Sequence, residues 1–330
     1  MTTDPAPTKP RVSVCMLAYN HAPFVAEAID SVLEQETDFP VEILIGEDES
    51  KDGTREICKE YAEKYPDRIR LFLRSREDVI HINGKPTGRY NLMETLKAAR
   101  GDYIALLECD DKWIDSDKLQ LQVSELDAHP ECTICFTAAR REFENAPEKN
   151  DIIRPYIGVK NQYVLEDFFE SNQIVTCTVM YRRGYLDPPP NFFGDIPLGD
   201  WPLHLWHAVH GNAFYIDRPT GLYRVHDRGA GQQFRSKIPR LLLAVEVLEK
   251  VRPVIPAESL PALDAAIVER RLRAAEDLFN AEEYDNVREQ IEGLESYRGE
   301  MNGKAKRHLR RMRRKMLQHA LGKTLRHLFR

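Results

Sequence analysis

Three acidic residues fall within four positions, Glu108-Cys109-Asp110-Asp111, directly after the apolar run Tyr103–Leu107. Carboxylates packed this closely repel one another. A hard divalent cation such as Mn2+ or Mg2+ relieves that repulsion, typically taking one or two protein carboxylates and completing its shell with phosphate oxygens. Such a cation points to a diphosphate as its partner. The same residues also suit a solvated acidic turn capping the next helix, and the motif by itself leaves both readings open.

Other polar loops recur at comparable places. Asp48-Glu49-Ser50-Lys51-Asp52-Gly53-Thr54 follows the apolar run Val41–Ile45. Asp48 stands at the strand end, where a carboxylate can accept the imide N–H of uracil or a similar base. Ser50 and Asp52 fit better as caps of a helix beginning near Thr54. Ala18-Tyr19-Asn20-His21 follows the first apolar run, Gly199-Asp200-Trp201-Pro202 precedes an apolar helix, and Tyr223–Gly229 (YRVHDRG) follows a strand. Taken singly, Asp200 suits a helix cap and His226 a structural histidine. Their joint order along one chain is the stronger signal.

The elements that must position these loops alternate. Arg11–Ala18, Val41–Ile45, Ile69–Leu73 and Tyr103–Leu107 read as strands, and His21–Glu36, Gly53–Tyr65 and Arg89–Arg100 as helices. The pattern predicts an α/β, Rossmann-like fold: a mostly parallel sheet with helices on both faces and ligands beyond the carboxyl ends of its strands. Beyond about residue 130, shorter strands (Thr133–Phe136, Thr176–Tyr181, Ala213–Ile216) separated by Pro-rich loops such as Asp187–Pro190 predict a mixed, partly antiparallel completion of the sheet. From Ser236 the chain reads as helices, with a break at Pro253, Pro256 and Pro261 and one helical hairpin over Ala274–Leu294. The expected division is a catalytic domain over 1–235 and a helical region over 236–330.

Composition bounds the rest. With 330 residues, 42% hydrophobic and 30% charged, the chain has the make-up of a soluble globular protein. It contains no apolar run approaching the ~18 residues of a membrane span, and its start lacks a signal-peptide pattern, so the expected compartment is the cytoplasm. Six scattered cysteines form no disulfide framework, and Cys132-Thr133-Ile134-Cys135 reads as buried strand thiols rather than a redox or zinc site. Within a net charge of -6, residues 301–330 carry eleven Lys/Arg and no Asp/Glu, which leaves -17 on the first 300. In that tail Leu309, Met312, Met316, Leu317, Ala320, Leu321, Leu325 and Leu328 recur at helical spacing. This predicts a basic amphipathic helix, which would lie on an anionic membrane or pack on the acidic body or a second subunit. The acidic body lacks a nucleic-acid-binding module, so nucleic acid is not an expected partner.

From Val12 to Gly231 the chain resembles the family 2 glycosyltransferases, which have the nucleotide-diphospho-sugar transferase (GT-A) fold. The resemblance rests on SVCMLAYN, IGEDESKDGT, GRYNLMETLKAARGDYIALLECDDKW, GDWPLHLW and YRVHDRG in that order. It implies an inverting transfer from a nucleotide-diphosphate donor, a UDP-sugar, to a hydroxyl of a glycan or lipid-linked saccharide in cell-surface polysaccharide or glycoconjugate synthesis, with Mn2+ or Mg2+ as cofactor. It further implies that Ala18, Tyr19 and Asp48 border the base, with Asn20 and Glu108 in the nucleotide-sugar-binding set. Asp110 would lie near the ribose and metal, Asp111 would bind the cation, Asp200 would be the catalytic base, and His226 would reach the diphosphate or metal. The chain departs from the family at His21, where many relatives have an acidic residue, at Tyr90, where arginine often precedes the helix asparagine, and at Gly199. The rival readings are a nucleotidyltransferase acting on sugar phosphates, which would want a Gly-rich basic loop after the first strand, and a non-catalytic protein that binds anionic surfaces.

Overall fold

The structure, a computed structural model, describes residues 9–185, 194–196, 198–227, 229 and 237–328, apart from the side chains of 237 and 322–328. The expected Pro-rich loop Asp187–Pro190, Arg228 of the YRVHDRG motif, and the side chains of Leu325 and Leu328 lie outside the described residues. The chain divides into two compact units, residues 1–229 and 230–330.

In the first unit the elements run β1 (Val12–Ala18), α1 (Val25–Leu33), β2 (Val41–Glu47), α2 (Thr54–Lys64), β3 (Ile69–Leu73), a two-residue hairpin of β4 (His81–Ile82) and β5 (Lys85–Pro86), α3 (Arg89–Ala98) and β6 (Tyr103–Glu108). They continue through β7 (Lys112–Trp113), α4 (Lys118–Ala128), β8 (Cys132–Phe143), β9 (Asp151–Ile153), β10 (Gln162–Tyr163), α5 (Asp167–Glu170), β11 (Met180–Arg182), α6 (Asp200–His210) and β12 (Asn212–Val225). Strands β3, β2, β1 and β6 lie side by side and parallel; β11 joins β6 antiparallel and leads to β8, β12 and β10. The fold is the expected α/β sheet with helices around it, its parallel part confined to β3, β2, β1 and β6 and to β8 against β12.

β1 is buried on both faces, as a central parallel strand requires. Val12, Val14, Met16 and Ala18 pack with Val25, Ala28, Ile29 and Val32 of α1, while Cys15 on the opposite face meets the Thr95 carbonyl of α3. Asn91 of α3 closes that second layer by donating to the Gly46 carbonyl at 2.8 Å. A Cβ at Gly46 would sit 2.1 Å from Asn91 Oδ1, so only glycine lets helix and strand approach this closely.

Three expected strands differ. Thr133–Phe136 and Ala213–Ile216 are parts of β8 and β12, which are 12 and 14 residues long. Charged residues at Arg140–Glu142 and Asp217–Arg218 interrupt the apolar pattern but not the pairing, and Pro219 is accommodated at a register shift between the two strands. Thr176–Tyr181 is instead a 3-10 turn (Thr176–Thr178) leading into β11. Cys132 and Cys135 are buried in β8, and all six cysteines are free and buried.

The second unit contains α7 (Lys237–Val251), α8 (Leu260–Asn280), α9 (Tyr284–Gly293) and α10 (Gly303–Leu328). Arg271 of α8 joins Glu249 of α7 and Gln290 of α9, and Arg252 pairs with Asp264 across the proline break. The tail helix does not carry the single expected stripe. Leu309 and Met312 are buried, whereas Leu317 and Leu321 are 61% and 55% exposed. Among the described residues no helix is long and apolar enough to cross a membrane.

Candidate active site

β6 buries Tyr103–Leu107 and leaves the core at Glu108, so the residues that follow are delivered to the carboxyl edge of the sheet. There one ligand atom each of Glu108, Asp110 and Asp111 lies within 4.8 Å of the others. Asp111 is only 1% exposed, and its Oδ1 accepts the Arg224 backbone N–H at 2.8 Å, tying this loop to the end of β12. The Arg224 side chain donates to the Asp110 carbonyl at 2.9 Å and to Glu27 at 2.6 Å, and lies over the Phe24 ring. His226, buried just past β12, donates from Nε2 to Asp110 Oδ2 at 3.1 Å, and His21 Nε2 lies 3.7 Å from the same oxygen.

Burial and like charge act together here. Burial first, then Asp110 and Asp200, push the Glu108 carboxyl up to about 8. Burial, Asp110 and Glu108 likewise push Asp111 well above the usual carboxylate range. Burial also works against ionisation of Asp110, but the hydrogen bond from His226 and the field of His21 outweigh it and hold that group below its ordinary value. A cluster in which burial and like charge resist ionisation of Glu108 and Asp111 is one whose chemistry fits a divalent cation. The donors are oxygens with the imidazoles of His226 and His21 beside them, which suits Mn2+ or Mg2+. Among the described residues no other group of three His, Cys, Asp or Glu is arranged this way.

The loops after β1 and β2 are stitched together. Asp52 accepts the backbone N–H of both Ala22 and Thr54, and Ser50 Oγ accepts the Asn20 N–H at 2.9 Å. Asn20 Oδ1 accepts the Lys51 N–H at 3.0 Å, so its side chain is engaged within the loop. Asn20 and Glu49 both adopt left-handed backbone, with φ of 55° and 60°, a strained conformation that gathers at ligand edges. Asp48 is buried, and its N–H bonds the Ala18 carbonyl across β1 and β2 at 3.0 Å. Its Oδ2 accepts from Arg76 Nη1 at 2.5 Å, while Oδ1 has no hydrogen-bond partner among the described residues. The Arg76 guanidinium lies 4.3 Å from the centre of the partly exposed Tyr19 ring. Burial raises the Asp48 carboxyl even against the pull of Arg76.

Asp200 opens α6, and its Oδ2 accepts from Asn172 Nδ2 at 2.7 Å. The segment before it is held by Arg89, whose buried guanidinium donates to the Ile196 carbonyl at 2.7 Å and to that of Leu198. Burial lowers Arg89 to about 10, partly offset by Asp200. Asp200 is close enough to Glu108 to raise its affinity for a proton. One sheet edge therefore gathers Asp48, the acidic trio, His226 and Asp200, with Asp48 just past β2 and Glu108 at the end of β6, the two strands that flank β1 and lie roughly 10 Å apart at usual strand spacing.

The profile described as Glycosyl transferase family 2 matches residues 13–187, more than half of the chain and the stretch that carries Asp48 and the acidic trio. The chain belongs to glycosyl transferase family 2. Among its relatives, the uncharacterized protein Rv1520 of Mycobacterium tuberculosis is 37% identical over 220 residues, 66% of this chain and 60% of the relative. The match thus spans about three fifths of the length of that relative. The dTDP-rhamnosyl transferase RfbG of Shigella flexneri is 27% identical over 68% of this chain and 78% of its own. Of solved structures, the mannosyltransferase PcManGT from Pyrobaculum calidifontis, in complex with GDP-Man and Mn2+, superposes with a TM-score of 0.60 at 20% identity over 98% of this chain and 83% of that one. S. aureus TarS with UDP-GlcNAc gives 0.54 at 15% identity, covering 87% and 92%. The likeness to these two structures shows a shared GT-A fold.

Within the family 2 frame, four side chains at this edge make contacts that the sequence did not announce. Arg224 lay inside the YRVHDRG motif with no role attached. Arg76 follows the third strand, and its only sequence signal is a cation placed where a strand ends at the binding edge. Arg89 stands one position from the arginine common in relatives and turns inward to main-chain carbonyls. Asn172 is a lone polar residue in a loop, with nothing in the sequence to single it out.

Proposed function

We propose that this family 2 protein is an inverting, cation-assisted glycosyltransferase that moves a sugar from a UDP-sugar to a hydroxyl of a glycan or lipid-linked saccharide, with Asp200 as the base. The observation that carries this reading is the proximity of Asp200 to Glu108, one of the three clustered carboxylates Glu108, Asp110 and Asp111 at the sheet edge. Glu108, Asp110 and Asp111 would hold Mn2+ or Mg2+, with His226 reaching the same region. Bound there, the cation would act as Lewis acid and template for the donor's diphosphate.

The protein's own groups supply the remaining chemistry. Tyr19, Arg76 and Ala18 border the base, and Asp48 Oδ1, a buried acceptor lacking a donor, would take the imide N–H of uracil. Thymine presents the same imide. Guanine presents two adjacent donors, which would compete with Arg76 for Oδ2. Asp200 would accept the proton of the acceptor hydroxyl as that oxygen attacks the anomeric carbon from the face opposite the diphosphate, giving inversion in one displacement. PcManGT was solved with GDP-Man and Mn2+ and TarS with UDP-GlcNAc, and both are consistent with a sugar nucleotide at this edge. A thermal-shift panel of UDP-, dTDP- and GDP-sugars with and without Mn2+ tests the reading. Stabilisation by UDP-sugars that depends on Mn2+ supports it, and the absence of any Mn2+-dependent response to sugar nucleotides contradicts it.

The exposed face of α10 supports an anionic membrane surface as a further partner. Arg307, Arg310, Arg314, Leu317 and Leu321 fall on one side of that helix, away from buried Leu309 and Met312. Cations beside exposed leucines are the composition of an interfacial helix, and such a surface is where a lipid-linked acceptor would be met.

A further inference from the structure

Asp200 is held from behind. Asn172 follows α5 and donates Nδ2–H to Asp200 Oδ2 at 2.7 Å. An amide can present either end, but here its orientation is decided locally. The Ile174 backbone N–H, which can only donate, meets Asn172 Oδ1 at 3.2 Å, so the acceptor end faces Ile174 and the donor end faces Asp200. His204, one turn along α6 from Asp200, meets the same Oδ1 through Nδ1 at 2.9 Å. His204 is fully buried, and burial lowers it to about 4, so the ring is neutral and must carry its proton on Nδ1 to bond an oxygen. Its Nε2 has no partner among the described residues. Every link from His204 through the amide to the carboxylate thus has its polarity fixed.

We infer that Asn172, locked by His204 and Ile174, is a positioning residue for Asp200: it engages Oδ2, fixes the carboxylate in one rotamer and leaves Oδ1 to the acceptor hydroxyl. The inference rests on the reading of Asp200 as the base. Arg89 complements it by anchoring the backbone at Ile196 and Leu198, so that main chain and side chain of the base are fixed by different elements.

The test uses the full chain and UDP release from whichever UDP-sugar the wild type turns over with Mn2+. Asn172→Ser still offers an oxygen to the Ile174 N–H but is too short to reach Asp200, and it adds no charge beside that carboxylate. The expected result is a kcat lower by about a hundredfold, with donor KM and Tm close to wild type. His204→Phe removes the Nδ1–H at similar volume and lowers kcat about tenfold, and the double variant is no slower than Asn172→Ser alone because both act through one link. If Asn172→Ser fails to fold, Asn172→Ala takes its place with the same expectation. Wild-type kcat in the Asn172 variant, or losses that multiply in the double variant, overturns the proposal. Wild-type kcat in Asp200→Asn would overturn the base assignment beneath it instead, and the two failures are read from different variants.

Discussion

Arg76 grips Asp48 by one oxygen and leaves the other buried without a donor. The same guanidinium spans the Tyr19 ring, so a single residue both charges the acceptor and builds the wall beside it. Arg76→Ala should weaken UDP binding by about ten- to a hundredfold, since an acceptor already raised by burial loses the cation that opposes protonation. Calorimetric titration with UDP at saturating Mn2+ checks this, and an unchanged Kd would remove Arg76 from the site.

The acidic trio makes stability and cation binding depend on pH in opposite senses. Glu108, held near 8 in the folded chain, binds more protons than it does unfolded between its ordinary value near 4.5 and about 8. Its contribution to stability is therefore fully present at low pH and is lost as pH rises through 8. Cation binding must displace those protons and strengthens over the same range. The metal-free protein should melt at progressively lower temperature from pH 6 to pH 8.5, and the increase in Tm produced by Mn2+ should grow. An increase in Tm that is flat across that range would contradict a cation bound at Glu108.

Arg89 turns its charge inward to two carbonyls just ahead of Asp200. Arg89→Leu should lower kcat by about a hundredfold, with UDP affinity unchanged and Tm several degrees lower, because the backbone of the base is released while the base pocket on β2 is untouched. Steady-state kinetics alongside UDP titration separates the two effects, and an increase in UDP Kd comparable with the fall in kcat would count against it.

The two faces of α10 should separate genetically. Arg310→Glu with Arg314→Glu, or Leu317→Asp with Leu321→Asp, should abolish flotation with vesicles containing anionic lipid while leaving Tm and UDP binding intact, because these side chains are exposed. Flotation of the wild type with neutral and anionic vesicles alike, or with neither, would contradict an anionic surface as partner.

The sequence made the first half of the fold legible where burial was complete. β1, β2 and β6 lie in the interior, so their apolar runs were unbroken and the polar residues at their ends stood out. It was less legible at β8 and β12, where Arg140 and Arg141 near the end of β8 and Asp217 in mid-β12 break the apolar pattern without breaking the ladder. Within the site, the clustered carboxylates could be found from spacing because β6 delivers them within four residues. Asn172 and Arg76 could not, because they reach Asp200 and Asp48 from 28 residues away in sequence, and only the folded chain brings them together. The tail's spacing was read as one stripe, yet Leu317 and Leu321 are exposed where Leu309 and Met312 are buried.

The central claim, that Asp110 and its neighbours hold a cation against the diphosphate of a sugar nucleotide, is tested most directly by titrating UDP into wild type and Asp110→Asn with Mn2+ and with chelator. The expected result is tight binding only for wild type with Mn2+, and weak, indistinguishable binding in the other three cases. Equal affinity for UDP in all four would contradict the claim.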